Sequence, residues 1–312
     1  MSSNLRVLFI RRAARETDFV EEQAQALREH GVEVDFFYLH GSGSRVYCAG
    51  YRQLRRLLKE GRYDLAHAHY GLSGLLCGMQ RIRPTVVTFM GSDVNELRLI
   101  RPLSRIAYHL SAHSIFVEDS LRRRLNARRK TAIIPYGINL SELTLLDKAE
   151  CRRELGLDAQ APLVLFASSS DRPEKNYGLA RAAVERLPDA SLIELGGYTR
   201  PQFIRLLNAV DVLLMTSLSE GSPVTITEAM ACNCPIVSTD VGDVRDKIEG
   251  VQGCYLTSYD PDDVVDKLKL ALDHKGRTDG RTRVAHWDNG LVADRILDVY
   301  RAVLREPGPS LA

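Results

Sequence analysis

Residues 217–243, SLSEGSPVTITEAMACNCPIVSTDVGD, place a polar turn, a helix start and a strand in one short run. Just before them Val212–Met215 is wholly apolar, as expected of a parallel-sheet strand covered on both faces. Glu220, Gly221 and Ser222 turn the chain. Pro223 suits the first position of a helix, where its missing N–H costs nothing, and 224–232 carries helix formers. A second buried strand is expected at 235–237.

Strand, turn, helix, strand is the α/β repeat, and open α/β sheets bind ligands at the carboxyl ends of their strands. A helix N-terminus there offers free N–H donors and partial positive charge, a seat for phosphate. Glu220 precedes that helix and Glu228 lies one or two turns inside it. A carboxylate accepts two hydrogen bonds at once, which matches a vicinal diol of ribose or a sugar ring. The competing reading makes Glu220 a helix cap and Glu228 a solvated helix residue. The run EGSPVTITEAMACNCPIVSTDVGD resembles the donor-binding signature of retaining glycosyltransferase family 4. The resemblance implies that Glu220 contacts the transferred sugar and Glu228 the ribose diol. The donor diphosphate is then expected against Gly221, Ser222, Pro223, Val224 and Thr225.

Working outward, an expected strand at 163–167 opens into SSSDRPEKNYG, whose Arg172 and Lys175 follow a strand end where cations can meet a diphosphate. The family carries an Arg and a Lys in this loop. Lys175 matches well and Arg172 is a displaced substitute. The family also shows an HGSD-like turn after a first-domain strand; here the strand Thr85–Phe89 leads into MGSDVN, so Gly91, Ser92 and Asp93 match while Met90 replaces the His. Asp93 has an alternative reading as a helix N-cap.

The first half opens with expected strands at 5–10 and 32–39 around a helix at 19–30. No Gly precedes Gly31, so the GxGxxG of a dinucleotide site is absent. Residues 41–50 are expected as loop, followed by a helix carrying Tyr51, Leu54, Leu57 and Leu58. A third strand at 64–69 holds His67 and His69, of which one is expected to face the core. His69, Tyr70, Gly71 and Ser73 sit where that strand meets a helix, and with Gly91, Ser92 and Asp93 they form the expected acceptor side. Ser120 is expected to cap a helix over LRRRLNARRK, and PYGINLSEL (135–143) to link two domains.

Composition bounds the rest. At 312 residues and 45% apolar content the chain can build two cores, and no apolar run approaches the ~20 residues that span a bilayer. The start lacks the basic-then-apolar order of a signal peptide, so a cytoplasmic protein is expected. Six scattered cysteines read as buried thiols rather than a redox or zinc set, two His one residue apart lack a third ligand, and Asp260-Pro-Asp262 reads as a helix start, so no metal is expected. Residues 1–150 hold 23 Lys+Arg against 16 Asp+Glu, and 151–312 hold 19 against 24. The basic half, densest at residues 122–130, points either to an anionic membrane surface or to an ordinary solvated face. Nucleic acid is not expected, because no aromatic residues interleave with the basic run.

The resemblance, most like glycosyltransferases of bacterial surface-polysaccharide synthesis including the teichuronic acid type, implies a GT-B fold: two doubly wound Rossmann-like α/β domains facing across a cleft. The expected bounds are 1–140 for the acceptor-side domain, 141–285 for the donor domain, and 286–312 for a helix returning to the first. The implied reaction is retaining, metal-independent transfer of a sugar from a nucleotide diphosphate donor, such as a UDP-sugar, to a lipid-linked or polysaccharide acceptor hydroxyl, with no cofactor. A sugar-nucleotide 2-epimerase and a catalytically silent nucleotide-sugar-binding protein are the alternatives.

Overall fold

The computed structural model describes residues 5–12, 19–40, 44–95, 100–274 and 276–305, with the side chains of 44–49 left aside. The chain divides into two compact units. Unit 1 comprises Met1–Gly137 with Asn289–Ala312, and unit 2 Ile138–Asp288.

Unit 1 runs β1 (Arg6–Arg12), α1 (Phe19–Glu29), β2 (Glu33–Leu39), α2 (Ser44–Glu60), β3 (Leu65–His69), α3 (Gly71–Gln80), β4 (Thr85–Phe89), α4 (Ser92–Asn95), α5 (Ile100–Leu110), β5 (His113–Phe116), α6 (Asp119–Arg124) and β6 (Thr131–Ile133). Its six strands are all parallel, in the order β2-β1-β3-β4-β5-β6. Val7 and Phe9 pack on one side of the sheet, and Leu8 and Ile10 on the other. Because successive side chains alternate between faces, a strand covered on both must be apolar at every position, which is why 7–10 shows no alternation.

Unit 2 runs α7 (Lys148–Leu155), β7 (Leu163–Phe166), a single 3₁₀ turn at Pro173–Lys175, α8 (Tyr177–Val184), β8 (Ser191–Glu194), α9 (Arg200–Ala209), β9 (Val212–Met215), α10 (Val224–Ala231), β10 (Ile236–Thr239), α11 (Val244–Ile248), β11 (Cys254–Thr257), α12 (Pro261–Asp273), α13 (Gly280–Val284) and a 3₁₀ turn at Ala285–Trp287. The five parallel strands lie in the order β11-β10-β9-β7-β8. From β7 the chain moves outward to β8 and then returns to the other side as β9. That reversal is the switch point at which such sheets open a ligand crevice. The loops leaving β7 and β9 are the Arg172–Lys175 loop and the Glu220 turn.

The last helix, α14 (Asn289–Arg305), belongs to unit 1. Its Ile296 and Tyr300, both fully buried, pack with Phe9, Val20 and Leu27. Burying a side chain of this size stabilises by ~1.5–3 kcal/mol. A Cβ on Gly137 would stand 2.3 Å from Asn289 Oδ1 and 3.1 Å from its Cα, so the residue ending the first segment of unit 1 lies close against the start of the returning helix.

Several expectations are corrected. The stretch 41–50 is helical from Ser44, and 41–43 lie outside the described residues. Pro223 stands one place before the helix as its cap residue, with ψ 114°, rather than inside it. The helix expected over 121–130 starts at Asp119 and stops at Arg124, where Asn126 turns left-handed (φ 54°); Ser120 is within it, donating to Glu118 rather than capping. Asp119 in the first turn takes both Arg122 and Arg123, the i+3 and i+4 neighbours it can reach. His67 and His69 both face the same side of β3, their rings stacked at 4.4 Å, because residues two apart on a strand share a face. The sequence beyond Arg305 reads as a fraying end, and 306–312 lie outside the described residues. Asp260 caps α12, accepting from the Asp262 N–H.

Candidate functional site

In unit 2 four loops at the carboxyl edge of the sheet are stitched together by backbone carbonyls. The Thr216 hydroxyl, just past β9, donates to the carbonyls of Lys175 and Asn176 at 3.0 Å each, and Leu218 N–H to Glu174. The Ser217 carbonyl accepts from Thr239 Oγ1 at 2.7 Å and Tyr259 OH at 3.3 Å. Gly242 (φ +58°) presses on the Glu220–Gly221 turn so closely that a Cβ would stand 1.9 Å from the Gly221 carbonyl oxygen. The VGD that closes the quoted stretch is therefore a shaped support for EGSP.

On this support both glutamates are held by cations. Lys175 Nζ is ion-paired to Glu220, each side chain 14% exposed. Arg200 Nη1 is paired to Glu228, and Arg200 Nε also reaches Glu142 at 3.4 Å. Glu228, on the fifth residue of α10, is buried, so it is not a solvated helix residue, and no side chain caps α10, so Glu220 is not its cap. A third pair lies beneath the turn. Lys247, buried on α11, donates from Nζ to Ser222 Oγ at 2.9 Å, pairs with Asp243 at 3.0 Å and stands 5.4 Å over the Trp287 ring. Ser222 in turn donates to Asp243 at 2.6 Å. Gly221, Val224 and Thr225 are half-buried at the start of α10, whose first N–H groups have no intrahelical acceptor.

Arg172 is not drawn into this group. Its guanidinium is half exposed and pairs with Glu174, two residues on, at 2.7 Å. Arg200 and Lys247 were not singled out from sequence. The signal for Arg200 is its place at the start of α9, where Thr199 and Gln202 form a capping box; for Lys247 it is the Asp243-x-x-x-Lys247 spacing on one helical face.

In unit 1 the expected acceptor-side residues gather around Asp93. Its fully buried carboxylate accepts from the backbone N–H groups of Gly71 (2.9 Å), Gly91 (2.9 Å) and Met90 (3.0 Å), tying the loop after β3 to the loop after β4. Burial pushes Asp93 up to about 6 against the pull of those donors. The helix-capping reading is replaced by this inter-loop role. Gly71 lies against Ser104, whose Oγ would be 2.0 Å from a Cβ there. Tyr70 adopts φ 84°, ψ 140°, a conformation that costs a non-glycine residue ~1–3 kcal/mol and is kept only where the surroundings enforce it. Ser92 Oγ points to Tyr70 OH at 3.5 Å, and Met90 packs on the core shared with α1 and α14.

His69 and Ser73 turn inward. His69 Nε2 meets Gln23 at 2.9 Å, and His67 bonds Tyr300 OH at 2.6 Å and Thr88 Oγ1 at 2.7 Å. Burial drives His67 down to about 3, and burial with the neighbouring His67 and Arg11 drives His69 well below its usual value, so both rings are neutral. Ser73 Oγ has no hydrogen-bond partner among the described residues. No group of three or more His, Cys, Asp or Glu able to hold a metal occurs among them either.

Comparison with known proteins agrees with the two-unit division. Residues 17–142 match the family Glycosyltransferase Family 4, and residues 157–274 match Glycosyl transferases group 1. A D-inositol 3-phosphate glycosyltransferase of Thermobispora bispora is 26% identical, over 83% of this chain and 75% of the relative. The enzyme of the same name from Mycobacteroides abscessus is 24% identical, over 82% and 69%. Among solved structures, sucrose-phosphate synthase of Thermosynechococcus elongatus superposes with TM-score 0.81 at 17% identity, covering 96% of this chain and 99% of that one. HepE of Anabaena, solved with UDP and glucose, gives 0.75 at 16%, covering 96% and 100%. The structural likenesses establish the GT-B fold, and the two family matches place a glycosyltransferase domain in each unit. The chain is a GT-B glycosyltransferase.

Proposed function

We propose that the chain is a retaining, metal-independent transferase that moves a sugar from a nucleoside diphosphate donor, such as a UDP-sugar, to an acceptor hydroxyl of a bacterial surface polysaccharide or its lipid-linked precursor. The observation that carries the donor reading is the pairing of both site carboxylates with cations, Glu220 with Lys175 and Glu228 with Arg200, at the switch point of the unit 2 sheet. Glu228 is assigned to the ribose hydroxyls and Glu220 to hydroxyls of the transferred sugar. The UDP and glucose bound to HepE support a uridine donor.

In the reaction the bond from the anomeric carbon to the diphosphate oxygen breaks, a bond from the same carbon to the acceptor oxygen forms with configuration kept, and the proton of the acceptor hydroxyl passes to the departing diphosphate. Negative charge gathers on the departing diphosphate. Lys175, Arg200 and the first N–H groups of α10 are the donors that meet it, with Lys247 holding Ser222 and hence the turn in place. Losing one such preorganised donor costs ~3–4 kcal/mol of barrier. The loops knotted by Asp93 in unit 1 are assigned to the acceptor.

The test is a panel of nucleotide sugars scored first by thermal shift, where a ligand at 100 times its Kd stabilises by about 2.7 kcal/mol. Product analysis with the bound donor follows, against a lipid-linked acceptor and inositol phosphate, with and without EDTA. A new glycoside of retained configuration, undiminished by EDTA, is expected. An isomerised donor would make the protein an epimerase, and binding without turnover a silent nucleotide-sugar-binding protein.

A further inference from the structure

We propose that the face of unit 1 formed by α2, α3 and α5 is a docking surface for an anionic lipid bilayer. This assignment stands independently of the donor reading. On α5, which reads IRPLSRIAYHL, Ser104 and Ala107 turn into the core, and that phase leaves Leu103 and Ile106 facing out, 36% and 48% exposed. Met79 at the end of α3 is 50% exposed. Leu110 packs so closely on Gly78 that a Cβ there would lie 2.7 Å from the leucine Cβ, which sets Met79 beside the end of the α5 stripe. The outward aliphatic groups thus form one row across two helices.

Cations border the row on both sides. The Tyr108 hydroxyl of α5 accepts from the N–H groups of Arg128 and Arg129 at 3.2 Å, which fixes that exposed basic loop along one flank. On the other flank Tyr51 OH donates to the Met79 carbonyl at 3.3 Å, and Arg55 Nη1 reaches Tyr51 OH at 3.4 Å. Arg105 is exposed within α5 itself. Across residues 51–60, 71–84 and 100–110 the sequence has eight Arg or Lys and a single acidic residue, Glu60. The helical basic stripe expected at 122–130 is not the anchor, since Arg122 and Arg123 are already paired with Asp119; only the loop after it reaches this face.

The chemistry selects the partner. Aliphatic side chains flanked by Arg and Lys suit the boundary between acyl chains and negatively charged headgroups. A second copy of the same face would set like charges against each other, and a nucleic acid would need exposed rings for its bases, where this row offers Leu, Ile and Met.

Flotation with vesicles of phosphatidylglycerol mixed with phosphatidylcholine, against phosphatidylcholine alone, at low and high salt, tests the assignment. Binding to the mixed vesicles is expected, falling in high salt and weakened about fivefold by Arg105→Gln. Ile106→Asp, on an exposed site outside the donor group, should lower it by at least about tenfold with melting temperature and donor affinity unchanged. Equal binding to phosphatidylcholine alone, or undiminished binding by Ile106→Asp, overturns the proposal. So does concentration-dependent self-association abolished by Ile106→Asp without vesicle capture, which would make the face a dimer contact. Retained donor binding in these variants separates failure here from failure of the transfer reading.

Discussion

The polar groups beneath the two sets of site loops differ in how much charge they carry. Beneath the loops of unit 1, His67, His69, Thr88 and Tyr300 form a network of neutral groups, and even the Asp93 carboxyl is pushed up to about 6. Beneath the loops of unit 2, charge is kept and paired: Lys175 with Glu220, Arg200 with Glu228, Lys247 with Asp243, and on the far side of the sheet Arg152 with Asp211. A neutral network carries no charge for an anionic ligand to take over; its hydrogen bonds tie β3 to α14 through Tyr300 and to α1 through Gln23. An ion pair can change partners. In the proposed donor site, a diphosphate reaching Lys175 or Arg200 would replace a carboxylate that already compensates the cation, so the desolvation of that cation would be met in folding and not again in binding.

The strongest way to break this contrast is to remove one partner at the unit 2 edge. Lys175→Ala should lower kcat by about 100- to 1000-fold, and Glu220→Ala should mainly lower turnover as well, with donor affinity little changed. Glu228→Ala should instead weaken the free nucleotide, whatever sugar is attached, by about 1.5–3 kcal/mol, the range of a hydrogen bond to a charged group. Calorimetry with the nucleotide alone and steady-state rates separate the two; exchanged behaviour would exchange the roles.

Acid should act on unit 1 first. The folded pKa of His67 is depressed from 6.5 to about 3, so its contribution is fully present above pH 6.5 and is lost as pH falls. From pH 6.5 to 5 the loss is about 2 kcal/mol, and His69 adds to it in the same direction. Asp93, raised from 3.8 to about 6, works the other way, its contribution shrinking as pH rises through that window. Hydrogen exchange at pH 7 and pH 5 should show β3 amides losing protection before those of β9, and parallel loss in both strands would mean the neutral network has no special acid sensitivity. The smallest effect is expected from Arg172→Ala. Its exposed pair with Glu174 is worth ~0–1 kcal/mol, so transfer should slow by less than about fivefold, well short of Lys175→Ala.

Sequence made the strands and the two glutamates readable for one reason: each is announced by its immediate neighbours. Val212–Met215 is apolar without interruption because both faces of β9 are covered, and Glu220 and Glu228 flank a helix start. The partners of those glutamates were unevenly visible. Lys175 sits in a loop whose position after a strand gives it away. Arg200 lies 28 residues before Glu228 and meets it only because β9 runs between their helices. Arg172 has the right residue type in the right loop, but Glu174 is two residues off and takes it locally. The shared face of His67 and His69 follows from the two-residue period of a strand alone; that both are buried depends on Tyr300 and Gln23, distant in sequence, supplying their hydrogen bonds.

The return of α14 to unit 1 has a consequence for synthesis on the ribosome. Unit 2 is one uninterrupted segment and can close as soon as Asp288 has emerged. Unit 1, though nearly all of it is made first, stays unfinished until Tyr300 arrives to meet His67 and Ile296 covers Phe9. The usual order in which the earlier domain folds first is thereby inverted. The first 137 residues wait through the translation of some 150 more, with one side of their sheet covered by α1 but not yet by α14, and a chain cut short before Asn289 leaves them in that state.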